Sequence, residues 1–181
     1  MSRIFGPLRQ LGYVVDDIDA AMKHWTEKLG VGPFFHIDDQ PLNDFRFRGV
    51  PSSPRFSVAL AQSGDTQIEL IQQHNDEPSA FKDFRGRGHT GLQHVAYWTT
   101  DFDRHLDAAR DLGLTELQSG LSGSGAPDER FAYFEEGPFP GTVLELSEIS
   151  GRKGDLFRAV AAAAVDWDGT DAVRDMRTVL G

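Results

Sequence analysis

Two segments of this sequence decide its fold: Arg9–Asp19 (RQLGYVVDDID) and Gln93–Asp103 (QHVAYWTTDFD). Three identical pairs share one constant offset between the segments: Tyr13 with Tyr97, Asp17 with Asp101, and Asp19 with Asp103. Each segment runs into a helical pattern that ends in Leu-Gly, at Leu29-Gly30 and at Leu112-Gly113. Such self-similarity predicts that the chain contains two copies of one supersecondary unit.

The far end of each copy matches as well. Thr66–Leu70 (TQIEL) resembles Thr142–Leu146 (TVLEL) at a slightly shorter offset, which a longer loop in the first copy explains. In the first copy, Leu8–Val15 is an apolar run with β-branched residues, which favours a strand. The pattern then predicts a helix with one apolar face, capped by Asp16-Asp17 and ended by Gly30.

The remaining pattern predicts further strands, two loops and a helical tail. The expected strand pairs are Arg55–Ala61 with Thr66–Ile71, and Phe131–Glu135 with Thr142–Leu146 across the turn Gly137–Gly141. The expected loops are Asp38–Pro54 and Ser119–Pro127, which are long enough to act as lids or binding loops. After Gly151, one apolar stripe predicts a helix, and Thr170 is expected to cap a second helix that carries Val173, Met176 and Val179.

Composition excludes several functional classes. The 181 residues carry 28 acids and 18 bases, for a formal net charge of −10, and the acidic pI argues against a nucleic-acid binder. No apolar run is long enough to span a bilayer, and no secretion signal is recognisable at the start, so we expect neither membrane nor secretion. The chain has no cysteine, so a cytoplasmic location is the default and any metal needs His, carboxylate or amide ligands.

Four polar residues occupy matched positions inside apolar strands. Gln10 and His94 lie in the first strand of each copy, and Glu69 and Glu145 lie in the last. A polar side chain that faces a protein interior needs a partner, and these four can satisfy one another around a divalent cation. The alternative is that the glutamates alternate outward to solvent and that His94 is a hydrogen-bonded core residue. We favour the metal site because the set is symmetric.

The repeated strand–helix–strands pattern resembles the vicinal oxygen chelate superfamily, which includes glyoxalase I, methylmalonyl-CoA epimerase, extradiol dioxygenases and bleomycin-resistance proteins. The resemblance implies an α+β fold in which two βαβββ modules form a cup-shaped half-barrel mixed sheet. The expected divisions are one domain over 1–150, with module 1 at about 6–75, a crossover at 76–89 and module 2 at about 90–150, followed by a helical extension over 151–181. Gly86–Gly91 fits a dinucleotide fingerprint but precedes a strand, so we interpret it as part of the crossover.

The resemblance also implies a site and a chemistry. The family's ligand positions fall on Gln10, Glu69, His94 and Glu145, which would hold one divalent ion (Ni, Co, Zn, Mn or Fe). Glu145 is the expected general base and Glu69 the second candidate. The expected substrate-binding residues are Phe45, Arg46, Phe47, Arg48, Trp98 and Tyr133. A single histidine in the set counts against an extradiol dioxygenase.

The activity implied by the resemblance is that of an epimerase, isomerase or lyase. It would remove a proton next to the metal-bound carbonyl of a small keto or acyl-thioester substrate, as in methylmalonyl-CoA epimerase. One alternative is a glyoxalase I-type lactoylglutathione lyase. An alternative of another class is a metal-free small-molecule binding or resistance protein. A small molecule is the expected partner, and the resemblance allows a homodimer.

Overall fold

The computed structural model describes residues 1–135 and 143–180. In chain order the elements are β1 (Leu8–Val14), α1 (Ile18–Leu29), β2 (Phe34–Ile37), β3 (Leu42–Phe47), β4 (Val50–Pro51), β5 (Phe56–Ser63), β6 (Thr66–Gln73), α2 (Ala80–Gly86), β7 (Gly91–Thr99), α3 (Phe102–Asp111), β8 (Thr115–Ser122), β9 (Arg130–Glu135), β10 (Val143–Glu148), α4 (Arg152–Ala164), β11 (Val173–Asp175) and α5 (Arg177–Leu180). Among the described residues, no helix combines the length and the apolar character that a bilayer span requires.

The strands form one mixed, open sheet in the order β11-β2-β5-β6-β1-β7-β10-β9-β8-β3-β4. The first strands of the two copies, β1 and β7, run antiparallel at its centre, and each is flanked by the last strand of its own copy in parallel, β6 beside β1 and β10 beside β7. The α+β class and the repeated arrangement expected from the sequence are therefore confirmed.

Helices cover both faces of this sheet, and strand alternation decides which residues they meet. On β5, Val58 and Leu60 pack in one core cluster, whereas Ala59 and Ala61 pack with Ile18 and Met22 of α1 in another. Helix α1 begins where the Asp17 carboxylate accepts from the backbone N–H of Ala20, and it ends at Gly30, whose φ of 66° suits glycine. Helix α3 packs on β9 and β10 through Phe102 and Ala109.

The C-terminal segment lies on the opposite face from α1. Leu156, Phe157 and Val160 of α4 join the cluster that contains Val58 and Leu60, as does Met176. The first predicted tail helix is confirmed as α4. The prediction of a second helix after Thr170 is wrong until Arg177, where the short helix α5 begins. The carboxylate of Asp168 binds both the hydroxyl and the backbone N–H of Thr170, and Val173–Asp175 then adds to the edge of β2 as strand β11. An unpaired sheet edge offers backbone partners that a short isolated helix lacks.

Both predicted loops also contain strand residues. Asp38–Pro54 contains the hairpin β3–β4, which crosses from module 1 to pair with β8, and Ser119–Ser122 completes β8 itself. The crossover carries α2, whose N-cap Ser79 accepts from Lys82 and whose Phe81 is buried. The predicted turn Gly137–Gly141 lies outside the described residues.

Candidate metal centre

The four matched polar residues lie on the four central strands of the sheet. Gly12 of β1 is level with both Glu69 of β6 and His94 of β7, and Gln10 is two residues from Gly12 on the same strand face. Glu145 of β10 is paired with Ala96, two residues beyond His94. The repeat therefore places one polar residue from each central strand on the inner face of the sheet.

Three of these side chains converge on a single point. His94 Nε2 lies 3.1 Å from Glu69 Oε2 and 3.2 Å from Glu145 Oε2, and the three atoms lie within 4.8 Å of one another. All three are buried atoms without a hydrogen-bond partner of acceptable geometry. Buried polar atoms in native proteins nearly always have a hydrogen-bond partner or a ligand. Three unpartnered polar atoms that face one another therefore indicate that one further atom or ion binds all three.

The other ring nitrogen of His94 identifies the chemistry of that partner. Nδ1 lies 2.9 Å from the Gln93 side-chain oxygen, which only accepts hydrogen bonds, so Nδ1 carries the proton. In the neutral imidazole, Nε2 then presents a lone pair toward two carboxylate oxygens. This arrangement is favourable only when a cation, either a proton or a metal ion, sits among the three atoms. One imidazole and two carboxylates form a donor set that suits a divalent first-row metal.

Gln10 is oriented to add a fourth donor. Its side-chain nitrogen donates to the oxygen of Gln67 at 2.7 Å, and both residues are almost fully buried. Because the nitrogen is occupied, the oxygen is the Gln10 atom left to bind a cation. Gln10 lines the same cavity as Glu69 and Glu145.

The cluster shifts the ionisation of its own members. Burial would lower the pKa of His94, but the carboxylates of Glu145 and Glu69 outweigh burial and raise this pKa to about 9. Burial raises the pKa of Glu69. Burial would also raise the pKa of the Glu145 carboxyl, but His94, Lys153 and Tyr133 outweigh burial and lower this pKa. Burial and the charges of Glu145 and Glu69 raise the pKa of Tyr133, which stays a protonated donor.

Gly12 provides the space that the histidine ring occupies. A Cβ atom on Gly12 would lie 1.7 Å from His94 Cε1 and 2.2 Å from His94 Nε2. Any other residue at position 12 therefore overlaps the imidazole. The imidazole of one copy is seated directly on the β1 backbone of the other.

The cluster of Glu69, His94 and Glu145 borders an apolar cavity of about 100 Å³. Its polar residues include Gln10, Glu69 and Glu145, and its apolar wall is built from both copies and from the C-terminal segment: Phe45, Phe56, Val58, Leu60, Phe81, Phe131, Leu156, Phe157 and Met176. Such a cavity fits a small molecule with one polar end.

The residues expected to bind substrate divide into two groups. Phe45 and Tyr133 line the cavity. Arg46 and Arg48 do not reach it, because the β3–β4 hairpin turns them outward: Arg46 donates to the Gly49 carbonyl, and Arg48 lies beside Asp83 and Glu135. Phe47 packs at the margin of the core, beneath the guanidinium of Arg48, and Trp98 stacks on Phe157 with ring centroids 4.6 Å apart.

Phe81, Gln118 and Lys153 are among the cavity residues that sequence reasoning missed. Phe81 comes from the crossover helix, and Gln118 comes from β8, where its oxygen accepts from the Ala80 N–H at 2.8 Å. Lys153 comes from α4, outside the repeat. A signal for Lys153 was present: it stands three, four and seven residues before Leu156, Phe157 and Val160, on the apolar stripe of the helix.

Comparison with known proteins agrees with this architecture. The family model described as Glyoxalase/Bleomycin resistance protein/Dioxygenase superfamily matches residues 9–133. No curated protein sequence matches the chain.

Solved structures share the fold at low sequence identity. Methylmalonyl-CoA epimerase from Mycobacterium tuberculosis aligns with a TM-score of 0.58 and 19% identity over 82% of this chain and 91% of its own. A hypothetical protein from Bacillus halodurans C-125 aligns with a TM-score of 0.58 and 16% identity over 78% and 93%. A methylmalonyl-CoA epimerase in complex with methylmalonyl-CoA and NH4+ aligns with a TM-score of 0.54 and 18% identity over 77% and 91%.

These structural matches show a common fold and no more. The family match covers more than half of the sequence and includes three of the four central polar residues. The chain therefore belongs to the Glyoxalase/Bleomycin resistance protein/Dioxygenase superfamily.

Proposed function

We propose that this protein is a divalent-metal-dependent enzyme that removes the proton next to the carbonyl of a small keto or acyl-thioester substrate. The observation that carries the proposal is the convergence of His94 Nε2 with one oxygen each of Glu69 and Glu145, all without partners, at the wall of an apolar cavity. In a metal-free binding protein a proton on Nε2 would lie between the two carboxylates, whereas one divalent ion would bind all three atoms together.

The proposed ligands are His94, Glu69, Glu145 and the side-chain oxygen of Gln10. A divalent ion held there supplies positive charge that polarises a carbonyl oxygen and stabilises the enolate formed when the adjacent proton leaves. The chain's own residues do the rest. The apolar wall, which includes Phe45, Phe56 and Phe81, excludes water from the reacting carbon.

Glu145 is the proposed base. Its pKa is lowered by His94, Lys153 and Tyr133 despite burial, so it is ionised and able to accept a proton at neutral pH. Tyr133 lines the same cavity and helps to keep the Glu145 carboxyl ionised by lowering its pKa. Glu69 is the second candidate, because it faces the same cavity from the opposite copy.

The proposed substrate class follows from cavity size and from the structural neighbours. A volume of about 100 Å³ admits a few carbon atoms, so the acyl group of a thioester enters and a large thiol carrier remains outside. One neighbour was solved with methylmalonyl-CoA bound, which is a substrate of this kind. An epimerase acting on a short acyl thioester is therefore favoured over a lyase acting on a glutathione adduct.

Proton exchange provides the test. The Co²⁺-loaded protein is incubated in D2O with methylmalonyl-CoA, or with the hemithioacetal of methylglyoxal and glutathione, and loss of the α-proton is followed by ¹H NMR. We expect exchange with the thioester, a loss of at least about 100-fold in Glu145→Gln, and no change in Glu27→Gln, a surface control.

The other outcomes assign the alternatives. Exchange with the hemithioacetal alone indicates the lyase. The absence of exchange with either substrate in metal-loaded protein overturns the enzymatic proposal. Full exchange in Glu145→Gln together with loss in Glu69→Gln transfers the role of base to Glu69.

A further inference from the structure

Lys153 is a buried cation on the wall of the cavity. Its side chain enters from the first turn of α4 and is nine-tenths buried, and its ammonium lies 5.8 Å from the centre of the Phe131 ring. The ammonium donates to the Arg130 carbonyl at 2.9 Å and to the Ser147 hydroxyl at 3.4 Å. Both acceptors are neutral, and they occupy two of its three N–H groups.

No carboxylate of the described residues pairs directly with this ammonium. The nearby acids Glu148 and Asp103 pair instead with Arg130, whose backbone carbonyl accepts from Lys153. A buried charge is ordinarily paired, because removing it from water costs several kcal/mol. Burial lowers the pKa of Lys153 to about 8, against the opposing charges of Glu145, Glu129, Glu148 and Glu69, so the group is mainly charged at neutral pH.

The local structure holds Lys153 in this position. Gly154 allows the first turn of α4 to lie against the residue that follows β10, since a Cβ there would lie 2.2 Å from the Ile149 carbonyl oxygen. Lys153 then points along the inner face toward Ser147, which is two residues beyond Glu145 on the same strand face. Two residues along a strand span about 7 Å. Lys153 therefore lines the same cavity as Glu69 and Glu145, and Ser147, which accepts from the ammonium, is one strand repeat from Glu145.

We propose that Lys153 is an anion subsite that binds a carboxylate carried by the substrate itself. The substrate class is then a short acyl thioester or keto acid whose carboxylate lies within about 7 Å of its carbonyl group. This inference rests on the proposed metal site and narrows the proposed substrate from any small carbonyl compound to an acidic one. The subsite belongs to the C-terminal segment, beyond the residues matched by the family model.

Calorimetric titration tests the subsite without requiring turnover. The Co²⁺-loaded protein is titrated with acetate, malonate, succinate and glutarate, because a dicarboxylate can reach the metal and Lys153 together whereas acetate reaches only one of them. A charge-assisted hydrogen bond contributes a factor of about 10 to 100 in affinity. We expect at least one dicarboxylate to bind more tightly than acetate by this factor.

Variants of α4 separate binding from folding. In Lys153→Met, an apolar side chain of similar length replaces a buried charge, a change that proteins often tolerate, and the dicarboxylate advantage should vanish while acetate binding persists. Lys153→Arg should keep part of the advantage. Arg158→Met is the control: among residues 1–135 and 143–180 this exposed arginine of the same helix forms its ion pair with Asp155, and its loss should leave dicarboxylate binding unchanged.

The results distinguish this inference from the proposed function. A Lys153→Met protein that keeps the dicarboxylate advantage, or a wild-type protein that lacks one, overturns the subsite. Weakened binding of acetate and dicarboxylates alike in Lys153→Met, with unchanged metal content, shows a structural role and also overturns it. Lysine-dependent dicarboxylate binding in a protein that exchanges no α-proton supports the subsite and rejects the proposed reaction.

Discussion

Replacing Gly12 by alanine should damage the metal centre while adding only one methyl group. The new Cβ would lie 1.7 Å from His94 Cε1, 2.2 Å from Nε2 and 2.3 Å from Nδ1, whereas ordinary contact begins near 3.4 Å. The ring must therefore retreat by about 1.7 Å. It has little space to do so, because Tyr133 lies against it at 4.9 Å between ring centroids and Nδ1 is hydrogen-bonded to Gln93.

The expected cost follows from overpacking and from lost coordination. An additional carbon in a well-packed interior usually costs 1–3 kcal/mol, and this overlap involves a buried ring, so we expect about 2–3 kcal/mol. For a domain of this size that corresponds to a decrease in Tm of about 4–12 °C. A ligand displaced by more than 1 Å no longer completes the site, so metal affinity should fall by at least about 100-fold.

The assay combines thermal unfolding of the metal-free protein with Co²⁺ titration. Gly86→Ala is the matched control, because a Cβ added at position 86, where a helix ends, would have nothing within 4 Å. The double variant Gly12→Ala/His94→Ala removes the overlapping ring and should regain most of the stability lost by Gly12→Ala, without regaining metal. Wild-type metal affinity in Gly12→Ala, or no stability regained in the double variant, would refute the reasoning.

Three further predictions concern pH, helix capping and the tail. The carboxylates of Glu145 and Glu69 raise the pKa of His94 from 6.5 to about 9 against the effect of burial. Protonated His94 therefore contributes fully to the stability of the metal-free protein below pH 6.5, and this contribution is lost as the pH rises through 9. Urea unfolding should show this decline in the wild type and not in His94→Asn. Asp17→Ala should lower the free energy of unfolding in urea by about 1 kcal/mol. Asp101→Ala, at the matched position of the second copy, should lower it less, because Asp101 makes no side-chain capping bond. Equal losses in the two variants would argue against the capping role of Asp17. Met176→Ala should cost about 2–5 kcal/mol and leave metal content unchanged, since Met176 is buried against the cavity but is not a ligand; loss of metal would show that the tail helps to form the site.

The internal repeat made most of the fold, and the convergence of Glu69, His94 and Glu145, predictable from the sequence. Matching Gln10 with His94 and Glu69 with Glu145 required only that the two copies fold alike, and the structure places all four on adjacent strands at the sheet centre. The Gly12 contact was not predictable, because it joins the backbone of one copy to the side chain of the other.

The edges of the sheet were the least predictable part. Strands β3 and β11 pair with partners distant in sequence, and β4 has only two residues, so local periodicity does not predict them. The position of β3 also places Arg46 and Arg48 away from the cavity that Phe45 lines, since successive side chains of a strand point to opposite faces. The domain boundaries, the homodimer and the cytoplasmic location remain predictions.

Direct measurement of metal binding tests the central claim that His94, Glu69 and Glu145 share one cation. Chelator-treated protein is titrated with Co²⁺, with binding followed by its visible absorption and stoichiometry checked by elemental analysis. The structure predicts one ion per chain, release of about one proton near pH 7.5 as the metal displaces the proton at Nε2, and loss of binding in His94→Ala. Absence of stoichiometric binding, or equal binding in wild type and His94→Ala, would contradict the account.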